Sequence, residues 1–248
     1  MIFNKIKEHV GEARAVVQLK NDWANVCSDD ALREELLTKF LDIRKHVDCP
    51  HNESHILSFV VEMFAAHSRV DSDAVFVEAG CYKGGSTAKF SHVTKHLGRE
   101  MVVFDSFEGL PENQEDHDKS IFGYSIKNWF HDGAFSGSLQ EVRKNVTEHG
   151  VIEVCRFTKG WFDDTLPDFH EPILGAYIDV DLSSSTRTCL KFLYPLIVPG
   201  GVLVSQDGDF PLVLELFEDE DFWQDEVGCP MPEIHGLRQN KMLKIIKT

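Results

Sequence analysis

From residue 74 onward, short apolar runs alternate with stretches of helical character, and this alternation leaves few folds open to the chain. The runs AVFVEA, MVVFDS, VCRFTK, ILGAYIDVD and GVLVSQD are nearly continuous in apolar residues, as strands buried on both faces are. Helical patterns beginning near Ser86, Leu139, Ser184 and Pro211 separate them. Strands joined by helices in this way predict an α/β fold with an open, doubly wound, mostly parallel sheet. The tail EIHGLRQNKMLKIIK predicts a terminal strand pair, and the longest stretch without periodicity runs from Ser106 to Ser136.

Residues 1–70 read differently, as a helical extension that could cap a site or form a subunit interface, before a second unit over 71–248. DDALREELLTKFLDIRKHV places Leu32, Leu36, Leu37, Phe40 and Leu41 on one stripe, and ESHILSFVVEMFAAH repeats the pattern after the break DCPHNES. Lys and Arg total 25 against 41 Asp and Glu, a formal charge of −16 that repels phosphate backbones and anionic lipid. Nucleic acid and membrane surfaces are therefore not expected partners. No apolar run approaches the roughly 20 residues of a spanning helix, and no export signal is visible. The six cysteines stand apart, without a CxxC pair. Reduced, mostly buried thiols and a cytoplasmic location are the expectation.

In a doubly wound sheet the ligand site lies beyond the carboxyl ends of the strands. The first such corner is FVEAGCYKGGSTAKFS, residues 76–91. Glycines there permit a tight turn and a close approach of ligand to backbone. The spacing is not GxGxxG, and no GK[ST] follows, which argues against a nicotinamide dehydrogenase and against a phosphate-binding P-loop. The next strand ends in Asp105, where an acid can accept hydrogen bonds from the two hydroxyls of a ribose. Corner and acid together suggest a nucleoside-containing cofactor.

Two further strand ends carry acids. GAYIDVDLSSSTRTCL places Asp179 and Asp181 two residues apart, and GGVLVSQDGD ends in Gln206 and Asp207. Carboxylates gathered without balancing cations call for a shared proton or a divalent ion, with hard oxygen ligands favouring magnesium, calcium or manganese. The alternative is that Asp181 and Ser183 to Ser185 cap a helix.

These stretches resemble the macrocin O-methyltransferase family of class I S-adenosylmethionine-dependent enzymes. FVEAGCYKGGST, VFDSFEGLPE, GSLQEVRKNV, KGWFDDTLP, IDVDLSSSTRTCLKFLYPLIVPGG and SQDGD carry the likeness, in the family's order, from about Phe76 to Asp209. The resemblance implies a seven-stranded Rossmann-like sheet and methylation of a hydroxyl on a small molecule, such as a glycosylated natural product. It implies that Glu78, Gly80, Tyr82 and Ser86 hold the methionyl end of S-adenosylmethionine, and Asp105 with Ser106 its ribose. Ser136, Gly160, Trp161 and Phe162 would lie near the adenine. Asp179 resembles the family's metal ligand, placed beside the cofactor, and Asp181 its general base. The family completes its metal site with two adjacent acids, where this chain has Gln206 and Asp207. An amide oxygen can coordinate magnesium but brings no charge, so metal affinity is expected to fall; Asp209 is a further acid nearby. By analogy a homodimer is expected.

Three histidines compete for the role of base, His131, His170 and His235, and all are expected to be surface or structural residues. Phe122, Tyr124, Trp129 and Phe130, within the long irregular stretch, are expected to form a lid over the acceptor. Because of Gln206, the rival functional reading is a cofactor-binding or scaffolding protein without catalysis.

Overall fold

The computed structural model describes residues 2–115 and 118–248, with side chains from residue 11 onward. Three helices come first: α1 (Ile2–Val26), α2 (Asp30–His46) and α3 (Glu53–Arg69). Asp29 starts α2 by accepting the Leu32 N–H at 3.0 Å, and Arg44, Lys45 and His46 oppose the negative end of its dipole. Leu36, Leu37, Phe40 and Ile43 are its buried face. Leu41, expected on that stripe, is 51% exposed. From Phe40 the helical period continues inward at Ile43, and Leu41 lies about 100° round the axis.

Six strands form one sheet in the order β3-β2-β1-β4-β5-β6. They are β1 (Val75–Ala79), β2 (Met101–Asp105), β3 (Cys155–Lys159), β4 (Ile173–Ile178), β5 (Ile197–Ser205) and β6 (Leu243–Ile246). All pairs are parallel except the last, in which β6 runs antiparallel to β5. The five strands expected from residue 74 onward are all present, and a seventh strand is not found among the described residues. The tail pairs through β6 and a single bridge, His235 to Lys244. Pro230 and Pro232, which cannot donate to a ladder, precede that bridge, and Gly236 turns the chain at φ +92°.

Alternation along the strands splits the core into two layers. Phe76, Val103, Tyr177 and Val202 pack with the buried faces of α2, α3 and α4 (Gly85–His96). Val77, Phe104, Ala176 and Leu203 pack with α7 (Ser183–Leu193) and α8 (Pro211–Phe217). The N-terminal helices therefore supply one cover of the sheet. Two shorter helices, α5 (Leu139–His149) and α6 (Phe162–Thr165), flank β3 in sequence.

From β1 the chain winds outward to β2 and β3, then returns to β4 on the other side. That reversal opens a crevice at the carboxyl ends of β1 and β4. The described residues of the segment 106–136 cross above it, and among them the bridge Lys119 to Ser125 is the regular pairing found. All six cysteines are free, and among the described residues no helix is long and apolar enough to cross a membrane.

Candidate active site

Gly80 makes the first corner. Its φ is +84°, and a Cβ there would stand 1.9 Å from the backbone oxygen of Asp179, so β1 and β4 approach more closely than any side chain allows. Tyr82 also has positive φ, at 50°, and Gly84 carries the chain into α4. Asp105 ties this corner to β2: its Oδ2 accepts the Cys81 N–H at 2.7 Å and its Oδ1 the Phe107 N–H at 2.6 Å. Burial raises the Asp105 carboxyl and those backbone bonds oppose the rise. Each of its oxygens keeps a second lone pair for a ligand. Glu78 is fully buried; Thr87 donates to its Oε2 at 2.5 Å while Oε1 has no partner. Burial pushes it up to about 8 against the Ser86 and Thr87 hydroxyls.

A cavity of about 930 Å³ extends from this corner across the crevice. Gly80, Tyr82, Asp105, Ser106, Gly160, Trp161 and Phe162 line it, as do Asp179, Asp181 and Gln206. Of the other expected site residues, Glu78 and Ser86 are buried outside the lining, and Ser136 is exposed next to the lining residue Phe135. Asp207 is also buried outside the lining.

Carboxylate oxygens of Asp179, Asp181 and Asp207 lie within 4.8 Å of one another. Asp181 has a φ of +62°, and the Val180 and Asp181 N–H groups donate to Asp207 Oδ2 at 3.0 and 3.1 Å. Asp207 Oδ1 and Gln206 Oε1 are buried without a partner. Burial, then the neighbouring charges of Asp207 and Asp179, drives the Asp181 carboxyl well above its usual range. Burial and then Asp179 drive Asp207 in the same direction. Orphaned hard oxygens facing such a group fit a divalent cation. Asp209 stands apart from this group and faces Lys241 Nζ at 3.4 Å. A second grouping, Asp42, His46 and His149, lies on α2 and α5 outside the cavity lining.

The capping alternative fails on an observation. The N-cap of α7 is Leu182, and Glu115, from the long irregular segment, accepts the Ser183 and Ser184 N–H groups at 2.6 and 2.8 Å. Asp181 is left to the cavity.

His131, His170 and His235 are exposed and do not line the cavity. Two histidines without a motif in the sequence, His51 and His55, line the cavity instead. His51, in the break between α2 and α3, is 5% exposed and places Nε2 2.5 Å from Asp179 Oδ2. Burial works against its charged form, but Asp179 and then Cys49 together outweigh burial and raise it to about 10. Its 128-residue separation from Asp179 left no local pattern to read.

Aromatic side chains form the cavity rim. Phe122, Tyr124 and Trp129 line it while 49%, 36% and 43% exposed. Phe130, expected with them, is instead buried edge-on against Phe210 at 5.0 Å, which roots the segment in the core.

A sequence model of the macrocin-O-methyltransferase (TylF) family matches residues 60–231. The chain belongs to this family. Its members' model thus covers the glycine corner, Asp105 and all three clustered acids, but not His51. A Streptomyces olivaceus relative, 8-demethyl-8-(2,3-dimethoxy-alpha-L-rhamnosyl)-tetracenomycin-C 4'-O-methyltransferase, is 35% identical over 136 residues, 53% of this chain and 51% of that one. Demethyldecarbamoylnovobiocin O-methyltransferase of Streptomyces niveus is 34% identical over 140 residues, again 53% of this chain and 51% of its own. The chain spans about half the length of these relatives in each match. Among solved structures, the O-methyltransferase NovP superposes with a TM-score of 0.64 at 22% identity over 78% of this chain and 79% of that one. The calicheamicin methyltransferase CalS11 superposes at 0.61 and 17% identity, over 94% and 91%. These superpositions establish that the TylF-family chain has a class I methyltransferase fold.

Proposed function

We propose that the chain is an S-adenosylmethionine-dependent O-methyltransferase acting on a hydroxyl of a small molecule, a natural-product sugar being the favoured acceptor. The observation that carries this reading is the continuity of one cavity from the glycine corner and Asp105 to Asp179 and Asp181, behind which Asp207 completes the cluster of carboxylates. The first end suits an adenosyl group and the second a hydroxyl that must lose its proton. Sugar hydroxyls are favoured because the Streptomyces olivaceus relative is named for methylating a rhamnosyl-tetracenomycin.

In this reading Asp105 accepts the ribose hydroxyls through its remaining lone pairs, and Trp161 and Phe162 offer apolar faces beside the adenine. S-adenosylmethionine, when bound, supplies a methyl group on a positive sulfur. Asp181 would take the proton that the acceptor hydroxyl gives up on methylation. A base works best when its pKa approaches the working pH, and burial, then the charges of Asp207 and Asp179, raise the Asp181 carboxyl from its usual range. A divalent cation held by Asp179 and Asp207, with Gln206 Oε1, would supply a positive charge that acidifies the acceptor hydroxyl. The cavity walls would hold acceptor and cofactor in a fixed mutual orientation, which lowers the barrier further.

Calorimetric titration with S-adenosylhomocysteine, followed by methyl-transfer assays on hydroxylated glycosides with and without magnesium, tests the reading. Binding with turnover is expected. Gln206 favours one rival, a cofactor-binding protein without catalysis, and binding with no turnover on any acceptor would select it. Absence of binding would end both.

A further inference from the structure

His51 reaches the acidic group from outside the residues that the family model matches, and everything around it is built to hold its ring. A carboxylate oxygen only accepts, so Nε2, 2.5 Å from Asp179 Oδ2, donates. The other ring nitrogen, Nδ1, faces Cys49 Sγ at 3.3 Å, and the Lys89 ammonium donates to the same sulfur at 3.2 Å. Lys89 is itself buried. The ring stands edge-on to Tyr177, centroids 6.2 Å apart, and to His55 at 6.5 Å. Gly85 lets this strap in: a Cβ there would stand 2.7 Å from Cys49 Cβ.

We infer that His51 is the positioning residue of Asp179. By engaging Oδ2 it fixes the carboxylate's rotamer and leaves Oδ1 for whatever enters the cavity beside Asp181 and Asp207. A carboxylate that ligates a metal is commonly held in this way by a hydrogen bond from behind, and loss of such a partner weakens metal binding. Cys49 and Lys89 act one step further back, setting which way the ring lies. The inference rests on the proposed cation site, and it needs no statement about which acceptor is methylated.

The test compares His51→Ala with His51→Gln in the full chain, using Mn²⁺ alone, read by electron paramagnetic resonance, and S-adenosylhomocysteine alone, read by calorimetry. His51→Ala is expected to lower Mn²⁺ affinity about tenfold, with S-adenosylhomocysteine affinity held within a few-fold. His51→Gln, whose amide can still donate, is expected to recover most of that loss. A merely structural role would lower both affinities and would not be rescued by Gln. Unchanged Mn²⁺ affinity in His51→Ala, or no recovery in His51→Gln, overturns the inference. Should the variants not fold, wild-type protein with ¹⁵N-labelled histidine decides: Mg²⁺ is expected to shift one solvent-protected imidazole N–H. Mg²⁺ binding that moves no such resonance overturns it. A wild-type chain that binds S-adenosylhomocysteine but no Mn²⁺ also overturns it, while the cofactor part of the proposed function stands.

Discussion

The two ends of the cavity are built on opposite electrostatic principles. At the glycine end the polar groups are mostly paired: both Asp105 oxygens take backbone N–H groups, and the corner is pinned before any ligand arrives, with Glu78 Oε1 alone among its buried carboxylate oxygens left without a partner. At the carboxylate end three acids crowd within 4.8 Å, two buried oxygens lack partners, and Asp181 adopts a left-handed backbone. Such strain persists only where the surrounding structure enforces it, and it clusters where ligands act. One end is shaped by geometry and the other by unbalanced charge, so damage to each should have a different signature.

The largest effect is expected from Gly80→Ala. The new methyl would overlap the Asp179 oxygen at 1.9 Å and would require φ +84° of an alanine. Because both strand ends would have to move, a loss on the order of 3 kcal/mol is expected, measured by urea denaturation, with S-adenosylhomocysteine binding lost as well. A change of under 0.5 kcal/mol would show that the corner yields easily, contrary to the comparison.

Asp181→Asn should do the reverse, leaving the glycine end whole. Removal of a general base typically costs about 10² to 10⁴ in rate, so methyl transfer should fall at least 100-fold while cofactor affinity stays within a few-fold. Turnover near that of wild type would remove Asp181 from proton transfer. Asparagine tolerates the left-handed backbone that position 181 requires, so the variant tests charge and not strain.

Buried charge at the glycine end should also show in the pH dependence of stability. Glu78 titrates at about 8 when folded against a reference of 4.5. The folded chain therefore holds its proton more tightly than the unfolded chain. Stability from this group is complete below about 4.5 and drains away as pH rises through about 8. Glu78→Gln, which keeps the shape and cannot ionise, should flatten the fall in unfolding free energy between pH 5 and 8. Asp105, Asp181, Asp207 and Asp209 are displaced the same way, so part of the slope should survive. An identical slope in the variant would mean that Glu78 is ionised in the fold throughout.

The same contrast governs how much could be read from sequence. The glycine end is assembled from residues close in the chain: AVFVEA gives β1, the glycines follow directly, and MVVFDS delivers Asp105 one crossover later. Local periodicity was sufficient there. The carboxylate end depends on contacts between distant segments. DCPHNES looked like a simple break between helices, yet it carries Cys49 and His51. The nearest thing to a signal was a histidine beside a proline in a tight link between two apolar helices, and nothing local says where such a link will dock. Glu115 is similar, capping α7 from 68 residues away. The strand count failed for a local reason that was visible, the prolines at 230 and 232.

The smallest effect belongs to the rim, where neither principle holds strongly. Trp129 is 43% exposed and touches Tyr124 at a ring separation of 6.1 Å, so little apolar area is lost from the core when it is truncated. Trp129→Ala should change stability by no more than about 0.5 kcal/mol, as surface changes commonly do. It should leave S-adenosylhomocysteine affinity alone and raise the acceptor KM several-fold, since an exposed indole over a cavity acts by covering what lies beneath it. A fall in kcat at constant KM would instead place Trp129 in the alignment of the reacting atoms, and the rim would then belong to the carboxylate end of the cavity.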